Sequence, residues 1–130
     1  MLVIDASAAI QACLSVDGFD GIGGRDLIAP TLLWSETNSV LHEMKWRGRI
    51  SADLAVVAIA RLKEASIRRR QPSRLSAEAW RIADDFGWAK TYDAEYVALA
   101  ILESCPLLTI DARLRKTASR TIDVVGPADL

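Results

Sequence analysis

The chain begins with Leu2, Val3 and Ile4 and places Asp5 directly after them, with Ala6, Ser7, Ala8 and Ala9 following. Three large aliphatic residues without polar alternation suit a strand covered on both faces, as in the middle of a parallel sheet. A carboxylate at the carboxyl end of such a strand stands on the rim where open α/β sheets bind their ligands. The same grammar returns late in the chain, where Leu107, Leu108, Thr109 and Ile110 run into Asp111. Two buried strands, each tipped with an acid, demand helices on both faces and so constrain the fold more than any other feature.

The apolar periodicity supplies those helices. Residues 7–14 predict a short buried helix, and residues 15–26 a loop whose glycines are too irregular for a dinucleotide fingerprint. Leu27, Ile28 and Ala29 predict a short strand stopped by Pro30, with Thr31 as cap of a helix reaching about Trp46. On that helix Leu33, Thr37, Val40, Leu41 and Met44 share one face, and Glu36 lies beside it. Gly48, between Arg47 and Arg49, reads as the helix stop. Ser51 opens a helix whose stripe of Leu54, Val57, Ala58, Arg61, Leu62 and Ala65 faces the previous one, giving a helical hairpin.

Arg68, Arg69, Arg70 and Arg74 form the only dense basic cluster. As a bare charge run it reads first as a solvated loop. Helices are then predicted from Ser76 to about Phe86, from Thr91 through Leu102, and over 112–118, and a last strand over Thr121–Val125. Asp93 sits in the first turn of the second of these helices, which is apolar almost all round. Strands that alternate with helices, never joined by a two-residue hairpin turn, predict a parallel sheet with right-handed crossovers.

A chain of 130 residues is expected to form a single domain over 1–130. Its 51% hydrophobic content would suit a membrane protein, but the longest apolar runs are far too short to span a bilayer. The first residues lack the pattern of a signal peptide, so a soluble cytoplasmic protein is expected. Cys13 and Cys105, without CxxC spacing, predict reduced thiols. The net charge of −1 argues against a nucleic-acid partner unless bound cations neutralise some of the acids.

Asp5, Glu36, Asp93 and Asp111 each have an ordinary explanation as a helix cap, a dipole complement or a partly solvated side chain. Together they say more, because the carboxyl ends of the two acid-tipped strands are expected to be neighbours, and the helix starts bearing Glu36 and Asp93 face the same crevice. Four carboxylates in one crevice raise one another's pKa and call for a cation among them. Oxygen ligands select Mg²⁺ or Mn²⁺; the single histidine, His42, is read as a surface residue, and no His/Cys set offers a zinc site. Such a centre serves phosphodiester and phosphoryl chemistry by acidifying water and offsetting charge in the transition state. No GxSxG, P-loop or Cys/His pairing offers a competing chemistry.

These residues resemble a known family. Asp5-Ala6-Ser7-Ala8 after the first strand, Ser35-Glu36, Tyr92-Asp93-Ala94 with Ala98-Leu99-Ala100 behind it, and Thr109-Ile110-Asp111 look like the acidic quartet of PIN-domain nucleases. The similarity spans essentially the whole chain, the Arg47-Gly48-Arg49-Ile50-Ser51 junction included. A stand-alone domain of this length looks like a VapC-type toxin of a type II toxin–antitoxin pair. The resemblance implies a three-layer α/β/α fold with a central parallel sheet of four to five strands and a helical hairpin. It implies a Mg²⁺- or Mn²⁺-dependent endoribonuclease whose metal-binding acids are Asp5, Glu36, Asp93 and Asp111, with Ser7 and Thr109 as supporting hydroxyls. It further implies a homodimer, inhibition by a VapB-type antitoxin whose tail occupies the acidic groove, and a heterotetramer or larger assembly with it. Arg68, Arg69, Arg70 and Arg74 then become candidates for RNA-backbone contact. Many members carry a further acid just after the fourth, where this chain has Arg113 and Leu114. The rival expectation is a PIN-fold RNA- or protein-binding module with little turnover.

Overall fold

The computed structural model describes residues 1–130 and contains five short strands: β1 (Leu2–Ile4), β2 (Leu27–Ala29), β3 (Ile67–Arg69), β4 (Leu107–Leu108) and β5 (Val124–Val125). They form one sheet, parallel throughout, in the order β3-β2-β1-β4-β5. The chain builds outward from β1 to β2 and β3, then returns to lay β4 on the other side of β1. That reversal creates a topological switch point between β1 and β4, and their carboxyl ends are the two acid-tipped ends of the sequence. All residues of β1, β2 and β4 are buried, which is why their sequences are unbroken apolar runs rather than alternating ones.

Six helices flank the sheet: α1 (Ala6–Leu14), α2 (Leu32–Trp46), α3 (Ala52–Glu64), α4 (Leu75–Phe86), α5 (Tyr92–Glu103) and α6 (Ala112–Ala118). The α2–α3 hairpin turns on Gly48 at φ +72°, a left-handed conformation that suits glycine. The amides of Gly48 and Arg49 reach back to the carbonyls of Lys45 and Met44, closing the helix end. The Ser51 hydroxyl accepts from the Leu54 amide and starts α3. Helix α5 is enclosed from Tyr96 to Ala100 and packs against β1 and β4, as its uniformly apolar sequence requires.

Several local expectations need correction. Thr31 has helical dihedral angles and its hydroxyl caps nothing; its amide instead donates to Gln71 Oε1 at 3.0 Å. The face α3 buries is Ala55, Ala58 and Leu62, whereas Val57 is 43% exposed. Arg61 lies beside that face and donates to the carbonyls of Cys13 and Ser15 at the end of α1. The segment read as a charged loop contains β3, an edge strand pairing with β2 through Ile67, Arg68 and Arg69. An edge strand needs only one paired side and tolerates charge on the other, so its sequence carries no apolar alternation. Elsewhere on α2, Trp46 is 78% exposed and Trp34 is half-buried beneath Arg69.

The principal core runs from β1, β2 and β4 into α5 and α4, and a satellite of Cys13, Leu41, Ala58 and Leu62 fastens α1 to the hairpin. Truncating a fully enclosed member such as Leu41 to alanine costs about 2–5 kcal/mol. Both cysteines are free thiols. No helix is long and apolar enough to cross a membrane.

Candidate functional site

Asp5 leaves β1 and caps α1, so its carboxylate is set at the switch point by two elements at once. Oδ1 accepts from the Ala8 amide at 2.9 Å and from Ser7 Oγ at 2.7 Å, and Oδ2 accepts from the Thr109 hydroxyl. Each hydroxyl has a single proton. With both directed at Asp5, the 3.1 Å approach of Ser7 Oγ to Thr109 Oγ1 is a close contact, not a further hydrogen bond. The two hydroxyl oxygens accept in turn from the amides of Ile110 and Asp111. A chain of neutral donors thus threads the carboxyl ends of β1 and β4. Asp5 is buried, and its pKa is raised chiefly by that burial, against the lowering effect of Thr109, Ala8 and Ser7; the charge of Asp93 adds to the rise.

Glu36 projects from the second turn of α2, half-buried, and its Oε1 accepts from the Tyr96 hydroxyl at 2.9 Å. Burial raises its pKa; the hydrogen bond from Tyr96 opposes this, and the charges of Asp93, Asp5 and Glu95 reinforce it. Asp93, one residue into α5, lies toward solvent, and its pKa is raised by desolvation and by Asp111. Asp111 is exposed and caps α6, accepting from the amides of Arg113 and Leu114 through Oδ1. Arg113 and Leu114 therefore serve the local cap through their backbone.

The fold brings Asp5, Glu36 and Asp93 into one electrostatic neighbourhood, with Asp111 joined to it through Asp93. None of the four takes part in an ion pair: every arginine that meets a carboxylate meets Glu43, Asp26, Glu103, Glu78, Asp85 or Asp129 instead. No three Asp, Glu, His or Cys side chains are already gathered in coordinating geometry. The donor set nevertheless fits a hard dication, being all oxygen, negatively charged and uncompensated. Mg²⁺ in particular keeps several waters and needs only one or two carboxylates.

Two participants were not legible as such in the sequence. Tyr96 reads there as one more core residue of an apolar helix; the available signal was its spacing of three from Asp93, which puts both on one helix face. Glu95, also on α5, has its pKa raised by burial and adds its charge to Glu36. The arginine cluster is largely engaged. Arg68 grips Asp26 through two bonds at 2.9 and 3.0 Å, Arg70 pairs with Glu103 at 2.8 Å, and the Arg69 guanidinium stacks 4.1 Å above the Trp34 ring. Arg74, preceding α4, meets no carboxylate.

The family profile of the PIN domain matches residues 2–120. The chain belongs to the PIN-domain family. Among curated relatives, this PIN domain is 34% identical over 122 residues to Ribonuclease VapC9 of Mycobacterium tuberculosis, covering 90% of this chain and 91% of that protein. The VapC ribonuclease Mb0985 of Mycobacterium bovis matches over the same extent and identity. Among solved structures, PAE2754 from Pyrobaculum aerophilum superposes with a TM-score of 0.78 at 26% identity, over 98% of this chain and 91% of that one. A structure of FitAB bound to a DNA fragment is similar in fold, with a TM-score of 0.66 at 14% identity, over 100% of this chain and 97% of that one.

Proposed function

We propose that this PIN domain is a Mg²⁺- or Mn²⁺-dependent endoribonuclease and the toxin of a VapBC-type toxin–antitoxin pair. The observation that carries the reading is the cluster of acids at the β1–β4 switch point. There burial raises the pKa of Asp5, Glu36 and Asp93, the charge of Asp93 adds to the rise at Asp5 and Glu36, and no cationic side chain answers them. Whole-length similarity to relatives named as VapC ribonucleases supports RNA as the substrate.

Asp5, Glu36, Asp93 and Asp111 would hold the cation. Once bound, it supplies Lewis-acid chemistry at the phosphodiester, acidifying a water and offsetting the charge that builds on the phosphoryl oxygens. The protein's own part is orientation. Ser7, Thr109 and the Ala8 amide fix both oxygens of Asp5, and the cap of α6 fixes Asp111. Asp93, without a side-chain hydrogen bond, is free to adjust to the substrate. Cleavage leaves a 5′-phosphate and a 3′-hydroxyl. Arg69 and Arg74 are the better candidates for RNA-backbone contact, since Arg68 and Arg70 already meet acids. A homodimer acting in the cytoplasm, silenced when a VapB-type antitoxin lays a basic segment in the crevice, completes the proposal.

One observation favours the rival, a PIN-fold binding module with little turnover: no three carboxylates converge closely enough to share one ion. Incubating RNA with the purified chain in Mg²⁺, Mn²⁺ or EDTA, alongside Asp5→Ala, separates the two. The nuclease cleaves only with metal and loses cleavage and growth toxicity in the variant. Intact RNA in every lane, with partner binding weakened in Asp5→Ala, selects the module.

A further inference from the structure

Tyr96 is fully enclosed, with no exposed surface, yet it carries a phenol that must find a partner when buried. Its one hydrogen bond is to Glu36 Oε1 at 2.9 Å, across sixty residues of sequence and from α5 to α2. Glu36 Oε2 receives no hydrogen bond from the protein. A phenol has a single proton to give and an ionised carboxylate can only accept, so the pair suits a charged Glu36. The donor is also neutral. An arginine or lysine here would fix Glu36 equally well but would cancel the charge a cation needs. The same device recurs at Asp5, whose three donors are two hydroxyls and an amide.

We infer that Tyr96 is a positioning residue of the metal site: its hydroxyl holds Glu36 by one oxygen, across the α2–α5 gap, and leaves the other oxygen and the full charge for the cation. Its place on α5, three residues after Asp93, makes one helix face present an acid directly and orient a second acid from another element. This inference rests on the acidic crevice being a cation site, as proposed above. Partners one step removed from a ligand change metal affinity by roughly 10–100-fold when lost.

The test is a calorimetric Mn²⁺ titration of the full chain as wild type, Tyr96→Phe, Glu36→Gln and the double variant, with thermal melts alongside. Tyr96→Phe is expected to bind Mn²⁺ roughly tenfold more weakly. Glu36→Gln is expected to weaken binding at least as much, and the double variant to match Glu36→Gln alone, because Tyr96 acts only through Glu36. Wild-type affinity in Tyr96→Phe beside a weakened Glu36→Gln would overturn the inference and leave Tyr96 as packing. Wild-type affinity in Glu36→Gln would instead overturn the reading of the crevice itself. Should Tyr96→Phe not fold, fluorotyrosine labelling answers the question, since Tyr92→Phe leaves Tyr96 as the sole tyrosine of two. Saturating Mg²⁺ then shifts the fluorine resonance if Tyr96 reports on the bound site, and an unmoved resonance overturns the inference.

Discussion

The Thr109 hydroxyl donates to Asp5 Oδ2, joining residues 104 apart in sequence and tying the end of β4 to the end of β1. Thr109 is 1% exposed and its oxygen also accepts from the Asp111 amide, so one side chain serves both acid-tipped strand ends. Thr109→Val keeps the shape and removes the proton. Denaturant unfolding at pH 7 should show a loss of about 1–3 kcal/mol, the cost of stranding a buried acceptor, and Thr109→Ser should recover most of it. An unchanged midpoint in Thr109→Val would mean that the contact contributes nothing.

Asp93 is the charge through which the crevice is coupled. Asp5, Glu36 and Asp93 all have folded-state pKa values raised above their ordinary ones, so the folded protein binds their protons more readily than the unfolded chain does. Their contribution to stability is present at low pH and lost as pH rises through the raised values. Asp26, Glu78 and Asp129 shift the other way, held low by Arg68, Arg81 and the Gly126 amide with Arg115, so their contribution is lost on acidification. Comparing wild type with Asp93→Asn in EDTA cancels that second set. The variant should melt higher at pH 7, and the gap should close toward pH ~4, the ordinary carboxylate range. A gap that does not depend on pH would refute the coupling.

Thr37 follows Glu36 on α2 and is completely buried, yet its hydroxyl has no partner. Its methyl belongs to the core stripe between Leu33 and Leu41, and its oxygen is carried along uncompensated. Thr37→Val replaces that oxygen with a methyl group and should stabilise the fold by about 1 kcal/mol in urea unfolding. Destabilisation of similar size would show that the hydroxyl has a partner in solution.

Arg61 donates to the carbonyls of Cys13, Ser15 and Val16, closing the end of the helix that Asp5 begins. Its cation also complements the negative end of the α1 dipole. Arg61→Met retains an apolar stem of similar length but leaves those carbonyls without the guanidinium donor. A loss of about 1–3 kcal/mol is expected from its denaturation curve, and a loss below ~0.5 kcal/mol would assign them to water instead.

What the sequence made legible divides by physical cause. Strands buried on both faces must be continuously apolar, so Leu2–Ile4, Leu27–Ala29 and Leu107–Leu108 stand out, and so do the acids that end two of them. Gly48 and Gly87 mark helix ends because a left-handed backbone suits glycine there. β3 stayed hidden because only Ile67 of its three residues is even half-buried, and pairing along one edge leaves no trace in hydropathy. Val57 is exposed because α3 turns Ala55, Ala58 and Leu62 inward, and Val57 lies about 200° around the helix from Ala55, a rotation that the apolar pattern alone does not fix. The bond from Tyr96 to Glu36 depends on where the tertiary fold sets α2 relative to α5, which no local pattern encodes.

The central claim, that an acidic crevice without cationic side chains is built to take a hard dication, is tested most directly by the melting temperature at pH 7 with and without Mn²⁺ in wild type and Asp93→Asn. Ligand at a hundred times its dissociation constant stabilises a folded protein by about 2.7 kcal/mol. The account predicts that Mn²⁺ raises the wild-type midpoint by several degrees, that EDTA reverses the rise, and that Asp93→Asn, already higher in EDTA, responds little. A wild-type midpoint indifferent to millimolar Mn²⁺, or an equal rise in Asp93→Asn, would contradict it.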